Sequence, residues 1–139
     1  MAANTSPIFS RLADIQWVTG SVLTANTTKT LAAGTVFLVF TADATNGGYV
    51  DKVIAKPLGT NVATVLRLWI NNGSSTGTAA NNAMIADETL AATTNSEVAA
   101  ISETEITLNM ALPAGYRIYA TIGTTVTAGF DITAIGGKY

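Results

Sequence analysis

The 139-residue chain contains no cysteine and no histidine, and only 12% of its residues are charged. Without cysteine, the chain can form neither disulfide bonds nor thiolate metal sites. Without histidine, it lacks the side chain that most often transfers protons near neutral pH and most often binds transition metals. Serine or threonine nucleophiles would also lack the neighbouring base that activates them. We therefore expect this protein not to be an enzyme, and to bind no cofactor and no metal ion.

The scarcity of charge has a second consequence. Typical domains carry about 25% charged residues, so this chain has about half the usual amount. Solubility commonly depends on a charged surface. The chain must therefore expose threonine, serine and asparagine instead, or bury part of its surface against other copies. We expect both, and we predict a homo-oligomer.

Nucleic-acid and membrane partners are also not expected. The net charge is −2, and the seven lysines and arginines are scattered along the chain rather than clustered, which argues against a nucleic-acid interface. Apolar runs such as residues 36–40 are far too short to cross a bilayer. Residues 1–10 have neither the basic start nor the apolar core of a secretory signal, so we expect synthesis in the cytoplasm.

What the sequence does contain is a series of short β-type stretches separated by turn-forming clusters, at intervals of about 10–15 residues. No stretch has a sustained helical period. The predicted strands are residues 15–18, 21–24, 35–41, 49–56, 63–70, 81–90, 97–100, 103–112, 116–122 and 130–135, of which 81–90 and 97–100 are the weakest. Residues 35–41 (TVFLVFT) are apolar on both faces, which places this strand in the middle of the fold.

About eight such strands predict an all-β fold, an antiparallel two-sheet sandwich. We prefer a jelly roll over an immunoglobulin-like topology, since the Cys–Trp–Cys spacing of immunoglobulin domains is missing. The predicted organisation is an extended N-terminal arm, residues 1–14, followed by one sandwich domain, residues 15–139. In the arm, Ile8 and Phe9 are isolated apolar anchors. The arm is either a frayed terminus or a segment that docks on a neighbouring molecule through Ile8 and Phe9.

The most informative side chains are Arg67, Trp69, Arg117 and Tyr119. They lie on the faces of two predicted strands opposite the assumed core. Arginine and aromatic residues are enriched where proteins contact proteins. The four residues are therefore predicted to form a protein–protein interface. The alternatives are an ordinary surface on which arginine stems cover apolar neighbours, and a platform for sugar rings.

Two groups of oxygen-bearing side chains have functional alternatives that we consider weaker. Glu103 and Glu105 share one strand face, where two carboxylates can act as a glycosidase pair, but a solvated strand face explains them better. Asp43 and Asn46 offer oxygen ligands for calcium. Their spacing does not fit an EF-hand loop, and the Asn-Gly pair that follows Thr45 favours a hairpin turn.

Three stretches carry a resemblance to a known group of proteins: residues 58–73 (LGTNVATVLRLWINNG), 112–124 (LPAGYRIYATIGT) and 134–139 (AIGGKY). Together they resemble small virion proteins of tailed bacteriophages that are found among head-associated genes, and the likeness extends over roughly residues 34–139. It implies a capsid decoration, or cement, protein located on the capsid surface of the virion. Such proteins are β-sandwiches or jelly rolls that commonly assemble as trimers at junctions between capsomers. Their terminal arms often contact the major capsid protein or adjacent copies.

Two other functions fit the same composition. The protein is alternatively a component of a phage tail or fibre, although a fibre is expected to show repeats or heptads and none is evident. It is alternatively a carbohydrate-binding β-sandwich module in which Trp69 and Tyr119 stack on sugar rings, because jelly rolls also host lectins.

Overall fold

The computed structural model describes residues 12–139. Within this range the chain forms eight β-strands and a single turn of 3-10 helix at Ala79–Asn81. The strands are β1 (Leu12–Trp17), β2 (Phe37–Thr41), β3 (Gly48–Pro57), β4 (Thr64–Asn71), β5 (Asn82–Leu90), β6 (Thr104–Leu112), β7 (Arg117–Ile122) and β8 (Phe130–Lys138).

The strands form two four-stranded sheets, one in the order β1-β8-β3-β6 and the other in the order β2-β7-β4-β5. All pairings within the two sheets are antiparallel. The sheets enclose a common hydrophobic core. The predicted antiparallel two-sheet sandwich is therefore confirmed.

The pairing of the strands is nested. The first strand pairs with the eighth, the second with the seventh, the third with the sixth and the fourth with the fifth. The chain can thus be described as one long antiparallel ribbon whose middle is the β4–β5 connection. Successive segments of this ribbon alternate between the two sheets, and the remaining contacts β3–β8 and β4–β7 join the segments within each sheet.

The core follows from the alternation of side chains along the strands. In β4, Leu66 and Leu68 are completely buried, as the sequence predicts. In β7, Ile118, Ala120 and Ile122 are buried in the same way. Apolar residues of β3, β6 and β8 face them from the other sheet, and most are small or β-branched: Val50, Val53, Ala55, Ile106, Leu112, Ile132 and Ala134.

Three strand predictions need correction. Residues 21–24 form only an isolated bridge, between Val22 and Phe130. Residues 97–100 form no strand; they lie in the loop between β5 and β6, where they are exposed, and Val98 is 98% exposed. The apolar stretch 35–41 does not lie in the middle of the sandwich, since β2 is an edge strand and Leu38 is exposed.

The predicted arm falls mostly outside the described residues, and its last three positions, 12–14, are part of β1. The division into an arm of residues 1–14 and a domain of residues 15–139 therefore stays a prediction for residues 1–11. In residues 12–139, no helix is long and apolar enough to cross a membrane.

Candidate interaction surface

The register of β4 and β7 brings together the four side chains that the sequence analysis selected. Trp69 lies opposite Tyr119, and Arg67 lies opposite Thr121. Arg117 lies opposite Asn71, two positions along β4 from Trp69. Because directly opposed residues share a face of the sheet, Arg67, Trp69, Arg117 and Tyr119 form one cluster on the face that points away from the core.

A segment of the long β1–β2 connection, residues 25–35, crosses this face, and we call it the strap. At one end, the Asn26 N–H donates to the carbonyl of Ile122 at the end of β7, at 2.7 Å. Further along, the side-chain amide of Asn82 at the start of β5 donates to the carbonyl of Thr30, at 3.2 Å. These two anchor points lie on non-adjacent strands and at opposite ends of the sheet, so the strap runs diagonally over β4.

Asn26 closes the strap into a loop. Its side-chain amide donates to the carbonyls of Ala33 and Thr35, each at 2.9 Å, while its Oδ1 accepts from the N–H and the hydroxyl of Thr28. Gly34 has a φ of +83°, and a Cβ there would approach the Asn26 side chain to 2.9 Å. The asparagine and the glycine thus determine the shape of the strap together.

Trp69 lies on the outer face of β4, which this segment crosses. Only 2% of the residue is exposed, although it faces away from the main core, and its indole N–H donates to the Thr121 hydroxyl at 3.0 Å. Leu31 of the strap is also buried and, like Trp69, lies outside the main core cluster. We infer that the strap and the outer face of β4 form a second, smaller apolar core. Trp69 therefore does not present its ring at the surface, which the sequence analysis did not foresee.

Arg67 is half-buried beside this second core. Its guanidinium lies against Gly123, where a Cβ would be 3.3 Å from Nη1. Its Nε and Nη1 are buried and have no hydrogen-bond partner in residues 12–139. Buried donors without a partner are costly, and glycine at position 123 is what leaves room for the guanidinium to lie there.

The part of the cluster that remains accessible lies on the side of β2. Arg117 and Tyr119 are half-buried, and the exposed Leu38 of β2 lies directly opposite Tyr119. On the other side of Trp69, Met84 of β5 is partly exposed. The accessible surface is thus mixed, with apolar side chains beside one arginine. Ile8 and Phe9, the other two predicted interface residues, lie outside the described residues, and their role stays a prediction.

Strand β1 carries surface residues that the sequence analysis missed. Ile15 and Trp17 point outward and are 53% and 65% exposed, whereas Gln16 faces the neighbouring edge of the other sheet. Its amide donates to the carbonyl of Thr41 at 2.9 Å and accepts from the Thr41 N–H at 2.9 Å. The alternation of polar Asp14 and Gln16 with apolar Ile15 and Trp17 does predict a strand. By the usual rule, however, the apolar residues would face the core, whereas in this strand they lie on the outer face.

The two oxygen-rich groups have structural explanations. Glu105 forms an ion pair with Lys52 at 3.0 Å, and Glu103 lies 3.8 Å from Lys56, all on an open strand face. The Asp43 carboxylate accepts hydrogen bonds from the N–H groups of Asn46 and Thr45. These two bonds, with a smaller contribution from Lys138, lower the pKa of Asp43 below its ordinary value. The turn that the sequence predicts at this position is confirmed, but it is not a hairpin turn, because it connects β2 and β3, which lie in different sheets.

Residues 12–139 form two of the clefts on the sandwich. One, of about 400 Å³, lies beneath the β5–β6 loop and is lined by threonine and serine hydroxyls, Glu103 and the edges of Pro57 and Phe130. The other, of about 250 Å³, lies between β1 and β2 and is lined by Trp17 and Leu38 among others. Within residues 12–139, no three acidic side chains approach closely enough to hold a metal ion.

Comparisons of this chain with models of protein families, with curated proteins and with solved structures found no match.

Proposed function

We propose that this protein is a structural subunit of a bacteriophage particle, of the capsid decoration type, that binds the assembled head and stabilises it against internal pressure. The observation that carries the proposal is the combination of a sparsely charged chain with large apolar side chains exposed on well-ordered strands. Such side chains are typical of surfaces that become buried on assembly. The resemblance of residues 58–73, 112–124 and 134–139 to head-associated virion proteins directs the proposal to the capsid.

Within this proposal, the sandwich is a jelly roll. The nested pairing of the eight strands supports this assignment, because a jelly roll is a double-sheet structure of eight strands built from two Greek keys. Within residues 12–139, the β4–β5 connection is the only one that joins two sequential strands of the same sheet. Every other connection crosses from one sheet to the other, as wrapping a single ribbon around a core requires.

The contact surface that we propose comprises Arg117, Tyr119 and Leu38, with Ile8 and Phe9 as additional contacts from the N-terminal segment. Trp69 supports this surface from beneath instead of touching a partner. We propose a homo-oligomer, preferably a trimer, with the major capsid protein as the second partner. The energetic principle is linkage: a protein that binds only the closed shell adds its binding free energy to that state. Many copies make a modest affinity effective.

The burial of Trp69 counts against the carbohydrate-binding alternative in the form that the sequence suggested. A sugar ring stacks on an exposed aromatic face, and the strap covers this one. A tail or fibre component remains the main competing assignment, since it requires the same kind of apolar contact surface.

The proposal is tested on particles that carry this protein. Particles stripped of it are heated with and without the purified protein, and the temperature at which DNA is released is measured. We expect the wild-type protein to raise this temperature, the Tyr119→Ala variant to raise it less, and the Val98→Ala variant to act like the wild type. Val98 is a suitable control because it is exposed and apolar but lies on a remote loop.

Unchanged release temperatures with the wild-type protein would refute a cementing role. Labelled antibodies examined by electron microscopy separate the competing assignments, because a label on the tail favours the tail component.

A further inference from the structure

Strand β1 forms an edge of its sheet, and its outward main-chain groups can be identified. The Val18 N–H donates to the carbonyl of Ile132 on β8, at 3.0 Å. In an antiparallel pair, residues alternate between those whose N–H and C=O point to the partner strand and those whose groups point away. Val18 and the even-numbered positions before it therefore face β8. Ala13, Ile15 and Trp17 direct their N–H and C=O away from the sheet.

The same odd-numbered residues carry the exposed apolar side chains. Ile15 is 53% exposed and Trp17 is 65% exposed. Leu12, which is even-numbered and therefore lies on the opposite face of β1, and Leu38, on the neighbouring edge β2, are exposed as well. Within residues 12–139, half of the exposed large hydrophobic side chains thus lie on the side of the sandwich formed by β1 and β2.

The other three edge strands have the features that usually prevent edge-to-edge pairing, namely charges, bulges or short length. Strand β5 carries Asp87 and Glu88 and shifts register against β4. Strand β6 carries Glu105 and contains Asn109 with a φ of +45° beside a register shift against β3. Strand β2 has only five residues and shifts register against β7.

Strand β1 lacks these protections. Its six residues pair with β8 without any register shift, and Asp14 is its single charged residue. The two hydrogen bonds between the Gln16 side chain and Thr41 attach it to the other sheet. The edge is therefore straight and fixed in position, which reduces the entropy that a pairing strand would lose on binding.

We propose that β1 is a docking edge for a second copy of this chain, paired antiparallel about a twofold axis that passes through Ile15. In this register Ile15 faces the partner's Ile15, and Ala13 faces the partner's Trp17, so all three outward-pointing residues exchange main-chain hydrogen bonds. On the other face, Asp14 lies opposite the neutral Gln16 of the second copy, so no like charges meet there. A shift by one residue in each copy would instead oppose Asp14 to the partner's Asp14, and like charges directly opposite one another are destabilising.

The size of the patch determines how strong this contact is. From their exposed fractions, the outward-facing side chains of Ile15 and Trp17 present about 250 Å² per copy. Two copies would bury at most about 500 Å² of this apolar surface, which is below the range of stable complexes. The expected association is thus a concentration-dependent dimer. It is distinct from any threefold contact, because a twofold axis pairs the same strand with itself.

The absence of cysteine from the chain makes a direct test possible. In the proposed register the two Ile15 Cα atoms are about 5.5 Å apart, within the range that a disulfide spans. The two Ala13 Cα atoms are about 14 Å apart, because four residues of strand separate them. Ile15→Cys and Ala13→Cys place single thiols on the same face of the same strand. Under mild oxidation, we expect the Ile15→Cys variant to form a covalent dimer and the Ala13→Cys variant to stay monomeric.

The proposal would be overturned if neither variant cross-linked, or if both cross-linked equally. The absence of any cross-link is also the result expected if residues 1–11 of the same chain cover the edge. Sedimentation of the cysteine-free protein over a range of concentrations provides an independent measurement. Ile15→Lys should abolish the self-association, and Val98→Lys, which places the same charge on a remote exposed site, should leave it unchanged. Equal self-association of both lysine variants would refute the docking edge. These measurements use the purified protein alone, so their failure is distinguishable from a failure to bind particles.

Discussion

The two tryptophans of this chain provide a matched pair for testing the second apolar core. Trp69 is buried beneath the strap and donates a hydrogen bond to Thr121, whereas Trp17 is 65% exposed on an edge strand. We compare Trp69→Phe with Trp17→Phe, which make the same chemical change in opposite environments. Protein concentrations are kept low, so that self-association through β1 does not contribute to the measured stability.

The expected cost of Trp69→Phe has two parts. Loss of the buried N–H to hydroxyl bond contributes about 1 kcal/mol. The smaller ring leaves about 40 Å³ of space, which at about 24 cal/mol per Å³ contributes about 1 kcal/mol more. The total of about 2 kcal/mol corresponds to a decrease of about 1 M in the urea midpoint. For Trp17→Phe we expect a change within about 0.5 kcal/mol, as for other surface substitutions.

The assay is urea unfolding followed by circular dichroism, combined with fluorescence quenching by acrylamide. In the Trp17→Phe variant, the remaining tryptophan should emit at short wavelength and resist the quencher. In the Trp69→Phe variant, the remaining tryptophan should be readily quenched. If Trp69→Phe left stability unchanged and the Trp69 signal were quenched as easily as that of Trp17, the strap would not cover this face, and the original sequence interpretation of an exposed aromatic would be restored.

Three further predictions concern other parts of the fold. Asn61→Ala removes three hydrogen bonds to the main chain at Ala128 and Gly129, two of them buried, and should cost about 3 kcal/mol, measured as a decrease of about 10 °C in Tm. Gly136→Ala would place a Cβ 1.9 Å from the carbonyl oxygen of Tyr49, and should greatly reduce the yield of folded protein on expression. The pKa of Asp43 is lowered in the folded state, so the ionised carboxylate stabilises the fold. This contribution is complete above the ordinary pKa of aspartate, about 4, and is lost as the pH falls through the lower pKa of the folded state. Asp43→Asn should therefore flatten this part of an acid-unfolding curve.

Each of these predictions has a control within the chain. Asn95 is exposed, and within residues 12–139 it is bonded only through its main-chain N–H, so Asn95→Ala should leave Tm unchanged. Gly77 lies in an open loop where a Cβ has a nearest contact of 3.4 Å, so Gly77→Ala should fold normally. Equal effects of the Asn61 and Asn95 variants, normal folding of the Gly136 variant, or an unaltered acid-unfolding curve for Asp43→Asn would contradict the respective contacts.

Strand positions were largely predictable because the core alternates. In β4 and β7 every second residue is apolar, and the structure buries Leu66, Leu68, Ile118 and Ile122 as that period requires. The turn at Asp43 was predictable for a local reason as well, since a side chain that accepts N–H groups two and three residues ahead requires no tertiary information. Periodicity and turn chemistry therefore account for most of the sandwich.

What could not be predicted depended on the order of strands within a sheet. The stretch that contains Val39 and Phe40 is apolar enough for a central strand, but topology places β2 at an edge. Trp69 belongs by period to the outer face but is buried, and we attribute its burial to the path of residues 25–35, which Asn26 and Asn82 anchor. No local pattern specifies that a loop will cross a sheet at this position.

The distribution of charge connects these findings. The edge strands carry four charged side chains, all acidic, and three of them lie on β5 and β6, namely Asp87, Glu88 and Glu105. The opposite side, formed by β1 and β2, exposes Ile15, Trp17 and Leu38 instead. A monomer that had only to remain soluble would gain by distributing its few charges over both sides. The apolar side chains are instead concentrated on one side, on a straight strand that Gln16 attaches to the other sheet. This arrangement is expected of a surface that another molecule covers, and the covalent cross-linking of Ile15→Cys tests that surface directly.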